Sequence, residues 1–190
     1  MNLPNKLTLL RVFLVPVFVC FLLYPQIPNH YLWALLVFAA ASLTERYDGK
    51  IARERNLITN FGKFLDPLAD KIVVISALVC FLKLGLANVW CVLIIIAREL
   101  MVTSIRLLAV GSGGKVIAAN RWGKVKTASQ MISIVVILFF QSVWALFNLT
   151  AGTQVILAVG NLLVWIATLL TVISGVIYIR QNIALINPDE

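Results

Sequence analysis

The sequence predicts an all-α integral membrane protein with six transmembrane helices, because its composition, its apolar runs and its one-sided basic residues agree. Hydrophobic residues make up 61% of the 190-residue chain and charged residues only 13%, and the mean hydropathy is +0.97. Soluble domains contain about 45–50% apolar residues, and a domain of this size leaves a large surface to cover. Lipid must therefore solvate much of that surface.

Six apolar runs have the length of a helix that crosses a bilayer, which is about 20 residues. A prolyl turn at 25–30 ends the first run, the longest polar connection (54–63) follows the second, and a turn at 85–88 separates the third from the fourth. We find no internal repeat or second domain, so residues 1–190 are predicted to form one membrane domain. The predicted spans lie near residues 7–25, 31–51, 66–84, 88–110, 125–147 and 153–179.

Basic residues fall at one set of helix ends, with Lys83 as the exception. The positive-inside rule then puts both termini in the cytoplasm, which agrees with an even number of spans, although substrate-binding residues would produce the same asymmetry. The net charge of +8 clusters between apolar runs, which favours membrane lipids and phosphorylated substrates over nucleic acid as partners. Arg11 lies early in the first run and no cleavage pattern follows, so we interpret this run as a retained helix.

Histidine and cysteine offer little for catalysis or zinc binding. His30 is the only histidine and lies in a short turn, and the three cysteines lie in or beside apolar runs without the spacing of metal ligands. The chemistry is therefore expected to depend on carboxylates and basic side chains.

Two pairs of acidic residues stand at the end of the second predicted helix and the start of the third. Glu45 and Asp48 are three positions apart and Asp66 and Asp70 are four apart, so each pair shares a helix face. The chain folds back between these helices, which allows the pairs to face each other near the cytoplasmic bilayer surface. Acids in membrane helices persist where they are compensated. Two divalent cations would compensate them, and oxygen ligands favour Mg²⁺ or Mn²⁺.

The alternative is a solvated loop in which these acids pair with neighbouring arginines and lysines. Two glycines and an arginine favour a ligand site instead. Gly49 and Gly62 have no Cβ and would let a substrate approach the backbone, and Arg53 could hold a phosphate oxygen with its guanidinium group.

At these positions the chain resembles the CDP-alcohol phosphatidyltransferase family, whose pattern is Asp-x-x-Asp-Gly-x-x-Ala-Arg, eight or nine residues, then Gly-x-x-x-Asp-x-x-x-Asp. The resemblance covers essentially the whole chain and is greatest to bacterial members that use glycerol 3-phosphate. Glu45 replaces the family's first aspartate and reaches about one methylene further, so an inactive variant is an alternative. The matching residues are Asp48, Gly49, Ala52, Arg53, Gly62, Asp66 and Asp70.

The resemblance implies that an acceptor hydroxyl attacks the β-phosphorus of CDP-diacylglycerol and that CMP leaves, with two metal ions stabilising the attacking and leaving oxygens. It also implies a homodimer in the bacterial cytoplasmic (inner) membrane. Glu45, Asp48, Asp66 and Asp70 would ligate the metals, and Asp70 would be the general base. The residues implied to contact CDP-diacylglycerol are Gly49, Ala52, Arg53 and Gly62, with Asn5 and Thr8 as secondary candidates.

A basic cluster is the expected site for the phosphate of glycerol 3-phosphate, which is a dianion and needs positive partners. Arg98 stands out because it interrupts an apolar run, although it could instead pair with Glu99 or with an acid of the main site. For the others, the alternative is ordinary flanking of the spans by positive charge. The predicted acceptor-phosphate residues are Arg98, Arg106, Arg121, Lys124 and Lys126.

Two other functions fit the same features. A sister enzyme would use inositol phosphate, serine or phosphatidylglycerol as the acceptor, because the acid motif fixes only the donor. A divalent-cation transporter could also combine six spans with clustered acids. The predicted acids lie near one face and not across the midplane, which argues against transport.

Overall fold

The computed structural model describes the backbone of residues 3–54, 60–111, 121–147 and 152–181, and the side chains of residues 6–44, 68–106, 121–147, 152 and 154–181. Six helices and no strand occur in these ranges, which confirms the predicted all-α fold. The helices are α1 (Leu3–Leu23), α2 (His30–Glu54), α3 (Asn60–Lys83), α4 (Val89–Gly111), α5 (Arg121–Leu146) and α6 (Thr153–Gln181).

Three of the helices are long and apolar enough to cross a membrane within the described residues. These segments are Lys6–Leu23 of α1, Arg121–Leu146 of α5 and Gln154–Gln181 of α6, and α2 contains a shorter apolar segment, His30–Thr44. Length and composition therefore support three spans directly.

Most helices extend beyond the predicted spans at their polar ends. Helix α3 begins at Asn60, six positions before the predicted span at 66, and α5 begins at Arg121, four positions before 125. Apolar runs mark only the part of a helix that lies in hydrocarbon, whereas backbone hydrogen bonding continues into the polar interface. The extension of α3 places Asp66 beyond the first turn of the helix, whereas the predicted span began at this residue.

Aromatic and aliphatic side chains build the core where α1, α2 and α3 meet. Phe18, Phe38 and Phe81 are at most 1% exposed, and the Phe18 and Phe38 rings lie 5.8 Å apart. The outer surface is also apolar, since Phe13 and Phe147 are 69% and 66% exposed. Soluble monomers rarely expose such surfaces over wide areas, so these helices form a membrane protein.

The turn between α3 and α4 also fixes the path of α6. Gly85 has a φ of 72°, and the N–H groups of Gly85 and Leu86 donate to the carbonyls of Leu82 and Phe81. This pattern is the Schellman motif, in which glycine tolerates the left-handed conformation. The Asn161 side chain of α6 donates to the Gly85 carbonyl at 2.9 Å. Helix α6 thus packs beside α4, the helix that carries Arg98 and Glu99.

Candidate active site

The predicted acid motif lies on two helices, as the sequence indicated. Helix α2 continues through Glu45 and Asp48, and α3 includes Asp66 and Asp70. The side chains of the first three lie outside the described residues, so their convergence stays a prediction. The predicted nucleotide-contacting residues whose side chains also lie outside the described part are Asn5, Gly49, Ala52, Arg53 and Gly62.

Asp70 is described, and it forms an ion pair with Arg11 of α1. Arg11 Nη1 donates to Asp70 Oδ1, with 1% of the Arg11 side chain and 37% of the Asp70 side chain exposed. Thr8, one turn before Arg11, is fully buried. A buried arginine in an apolar helix needs a compensating partner. The pair therefore ties α1 to the helix that carries the predicted general base.

The Arg11–Asp70 pair was missed by the sequence prediction, which used Arg11 only as evidence for a retained helix. A signal was present, because an arginine inside an apolar run is costly and must find an acid. The sequence could not say which acid, since the partners are 59 positions apart.

A second charged cluster surrounds Glu99 of α4, whose side chain is 5% exposed. Lys71 of α3 donates to Glu99 Oε2, and Lys126 of α5 donates to Oε1. Arg98 Nη1 also donates to Oε1, at 3.3 Å. Arg98 therefore pairs with Glu99, as the sequence allowed, and its predicted contact with phosphate stays a prediction. One carboxylate thus joins cationic side chains from three neighbouring helices.

Helix α6 also binds the guanidinium group of Arg98, through a nitrogen other than the one that donates to Glu99. Arg98 Nη2 donates to Ser174 Oγ at 2.8 Å. At Gly175, an added Cβ would lie 3.0 Å from Arg98 Cγ, which is too close for an ordinary contact. Glycine at this position therefore lets the arginine side chain pass along the helix backbone.

A cavity of about 420 Å³ lies beside this cluster and is lined by α3, α4, α5 and α6; we call it the basic cavity. Its lining among the described residues has five basic side chains and one acidic side chain, Glu99. Arg121, also predicted for this role, is exposed and does not contribute to the described lining. The basic side chains are Lys71, Arg98, Arg106, Lys124 and Lys126.

A smaller cavity of about 150 Å³ adjoins the basic cavity and includes Asp70 in its lining; we call it the Asp70 cavity. Lys71, Glu99 and Lys126 line both cavities, so these side chains form a shared wall. An anion bound in the basic cavity would therefore be separated from the predicted general base, Asp70, only by the side chains of this shared wall. Such an arrangement suits transfer to or from a small phosphorylated molecule.

An all-helical membrane protein with a basic cavity next to a carboxylate belongs to the class of membrane proteins that can bind a small anion beside an acidic side chain. The model of the CDP-alcohol phosphatidyltransferase family matches residues 1–173. The chain belongs to this family, which confirms the resemblance seen in the sequence.

Several bacterial relatives match the chain along nearly its full length, and each is named CDP-diacylglycerol–glycerol-3-phosphate 3-phosphatidyltransferase. The Bacillus subtilis (strain 168) protein is 41% identical, with 95% of each chain covered. The Rickettsia felis protein is 36% identical, with 94% of each covered. The Pseudomonas fluorescens protein is 37% identical over 87% of this chain and 86% of its own length.

Proposed function

We propose that the chain is a phosphatidylglycerophosphate synthase, which transfers the phosphatidyl group of CDP-diacylglycerol to sn-glycerol 3-phosphate and releases CMP. Its family membership and the names of relatives at 36–41% identity support this reaction. The structural observation that carries the choice of acceptor is the basic cavity, which shares a wall with the Asp70 cavity. A dianionic phosphate fits the basic side, and an acceptor hydroxyl fits the side of a general base.

The acceptor phosphate would bind in the basic cavity through Arg98, Arg106, Lys124 and Lys126, all of which line it. Arginine forms paired hydrogen bonds to phosphate oxygens, and lysine adds a mobile positive charge. Arg121 keeps its predicted role as a further phosphate contact, although it is exposed outside the described lining. Anchoring the phosphate fixes the distance of the hydroxyl from Asp70, which lowers the entropic part of the barrier.

Asp70 would accept the proton of the acceptor hydroxyl as its oxygen attacks the β-phosphorus of the donor. The bond from that phosphorus to the bridging oxygen then breaks, and the oxygen leaves with CMP. Arg11 supports this role because it holds the Asp70 carboxylate by a direct ion pair. The base would therefore be orientated before the substrate arrives.

Glu45, Asp48, Asp66 and Asp70 would hold the two Mg²⁺ or Mn²⁺ ions. The donor chemistry fits, because carboxylate oxygens suit these hard cations, and Asp70 is 37% exposed in its own cavity despite its pairing with Arg11. The bound ions would neutralise the charge of the donor diphosphate during transfer.

The cytidine and diphosphate part of the donor would contact the backbone of the glycine-containing motif and the Arg53 side chain. Asn5 and Thr8 of α1 complete the predicted set. Thr8 is fully buried next to Arg11, so a direct contact with the donor requires a local rearrangement of α1. The motif residues in this set are Gly49, Ala52, Arg53 and Gly62.

The same proposal includes six spans, cytoplasmic termini and a homodimer in the bacterial cytoplasmic membrane. Residues 1–190 would form one domain, with the active site at the cytoplasmic face. The polar ends of α3 and α5, where the charged clusters lie, support this orientation by the positive-inside rule.

The decisive experiment is turnover of purified protein in detergent with CDP-diacylglycerol, glycerol 3-phosphate and Mg²⁺ or Mn²⁺. We expect CMP and phosphatidylglycerophosphate in equal amounts and no product with excess EDTA, with recovery when the metal is restored. Faster turnover of inositol phosphate, serine or phosphatidylglycerol would identify a sister enzyme. Divalent-metal flux into liposomes without CMP release would support the transporter.

The glutamate at position 45, where the family has aspartate, is tested by comparing the wild-type protein with Glu45→Asp. If Glu45 binds metal as the family's aspartate would, the wild-type protein catalyses the reaction and Glu45→Asp changes the rate only modestly. An inactive protein that gains turnover with Glu45→Asp would instead identify a silent variant.

A further inference from the structure

Glu99 is a buried carboxylate that the predicted metal site and acceptor site leave without a role. An isolated buried carboxylate is costly, so at least one cationic partner is expected. Glu99 instead receives hydrogen bonds from Lys71, Arg98 and Lys126. With three cations around one acid, the cluster carries two surplus positive charges. An ion pair that only stabilises the fold needs one cation for one carboxylate, so this cluster contains more positive charge than that role explains.

The surplus charge faces the basic cavity, which all four side chains line. Lys126 and Glu99 are each 4% exposed, and the side chains of Arg98 and Lys71 are 12% and 26% exposed, so water stabilises the excess charge only in part. Positive charge in such a place is stabilised by an anion. The cluster therefore has the charge of an anion-binding site.

Arg98 retains a hydrogen-bond donor that neither Glu99 nor Ser174 uses. Its Nη1 donates to Glu99 and its Nη2 to Ser174. Its Nε is buried and has no hydrogen-bond partner among the residues that the structure describes. Each lysine ammonium group also has three N–H donors, of which its bond to Glu99 uses one.

Both carboxylate oxygens of Glu99 contribute to the arrangement. Oε2 accepts from Lys71, while Oε1 accepts from Lys126 and Arg98. Because Lys71 and Lys126 come from α3 and α5, no single helix could hold these cations together. The carboxylate fixes them in the wall between the basic cavity and the Asp70 cavity.

We propose that Glu99 is a positioning residue for a phosphomonoester acceptor. Its carboxylate holds Lys71 and Lys126 in the shared wall and Arg98 at the side of the basic cavity, so that their remaining N–H groups bind the phosphate while the acceptor hydroxyl faces Asp70. This inference rests on the proposed function and deepens it, because it adds Lys71 to the phosphate site. Glu99 acts through the three cations and itself touches no substrate.

The kinetic test compares Glu99→Gln with the unaltered enzyme in detergent. Glutamine keeps the shape and one acceptor oxygen but loses the charge, so the cations repel one another and separate. We expect the KM for glycerol 3-phosphate to rise about tenfold, while kcat and the KM for CDP-diacylglycerol change less than about twofold. An equal rise in both KM values, or a loss of active enzyme with both KM values unchanged, would overturn the assignment.

The binding test uses inorganic phosphate and requires no turnover. Phosphate should raise the melting temperature of the wild-type protein, and it should raise that of Glu99→Gln by less than about half as much. Glu99→Asp is the second variant in case glutamine prevents folding. Aspartate keeps the charge but is too short to reach all three cations, so we expect an intermediate phosphate effect and an intermediate KM.

The two proposals can fail separately in these experiments. Equal stabilisation of the wild type and both variants by phosphate would overturn the role of Glu99, even if the wild type turns over glycerol 3-phosphate. The opposite result is a wild-type protein that forms no product from glycerol 3-phosphate but shows the expected stabilisation by phosphate. That result would contradict the proposed reaction, and it would support the role of Glu99 in binding a different phosphomonoester.

Discussion

Asp70 is the predicted metal ligand whose side chain the structure describes, and it is also the predicted general base. Asp70→Asn keeps the size of the side chain but removes its basicity and charge. We expect CMP release to fall by about 10²–10⁴-fold, the range that a general base contributes. The assay is CMP release with both substrates saturating.

The control for Asp70→Asn is a check that the variant is folded and inserted in the membrane. The variant should insert into the membrane and elute from size-exclusion chromatography as the wild type does, because asparagine can still accept a hydrogen bond from Arg11. Substantial turnover by a correctly folded variant would refute the assignment of Asp70 as base and ligand.

Arg11 should be energetically coupled to Asp70, because the two side chains form a direct and partly buried ion pair. Arg11→Met should lower the melting temperature in the wild-type background, since it removes the ion pair between the arginine and the Asp70 carboxylate. The same change should cost less in the Asp70→Asn background. Thermal unfolding of the two single variants and the double variant measures this difference. Strictly additive losses would mean that the pair contributes nothing.

At the scale of the helices, the sequence was sufficient for the number of elements and for the helices that carry the acid pairs. Apolar runs and prolyl or glycyl turns are local features, so they could be predicted. The ends of α3 and α5 could not, because a helix continues past its apolar part. The joining of α3, α4 and α5 at Glu99 was also out of reach, since its lysine partners are 28 and 27 positions away.

The same reasoning explains which parts of the site were predicted. The placement of the acid pairs on α2 and α3 was predictable because each pair follows one helix face, and Arg98, which lines the basic cavity, stood out because it interrupts an apolar run. Ser174 and Gly175 gave no such signal, since serine and glycine are common in membrane helices. Only the packing of α6 against α4 shows that they hold Arg98.

Helix α6 should therefore influence acceptor binding through Ser174. Ser174→Ala removes the hydrogen bond to Arg98 Nη2, which frees the guanidinium group to move. We expect the KM for glycerol 3-phosphate to rise about threefold with little change in kcat, because Ser174 acts on the phosphate only through Arg98 and so only part of the roughly 1.5–3 kcal/mol of a hydrogen bond to a charged group affects binding. Steady-state kinetics with each substrate varied in turn provides the measurement.

Ser142→Ala is the matched control for that change. Ser142 of α5 donates to the Leu138 carbonyl within its own helix at 2.7 Å, and it lines neither cavity. Its removal deletes a helical hydroxyl without affecting Arg98. The same KM increase in both variants would mean that loss of any helical hydroxyl perturbs the enzyme, and that Ser174 has no special role.

For the whole molecule, the number of spans determines on which side of the membrane each turn lies. Within the described residues, length and apolar composition support α1, α5 and α6 as spans, whereas the proposal requires all six helices to cross. The two arrangements differ at the C-terminal end of α6. With six spans, Gln181 lies on the cytoplasmic side and Gln26, in the turn after α1, on the opposite side. With only three spans and a cytoplasmic N-terminus, both residues lie outside.

Cysteine labelling in cells distinguishes these arrangements, because Gln26 and Gln181 are both exposed. Gln26→Cys and Gln181→Cys are placed separately in a variant from which Cys20, Cys80 and Cys91 have been removed. A membrane-impermeant maleimide should label position 26 in intact cells and position 181 only in inverted vesicles. Labelling of both positions in intact cells would instead support three crossings. That outcome would require α2, α3 and α4, with their charged clusters, to avoid crossing the bilayer.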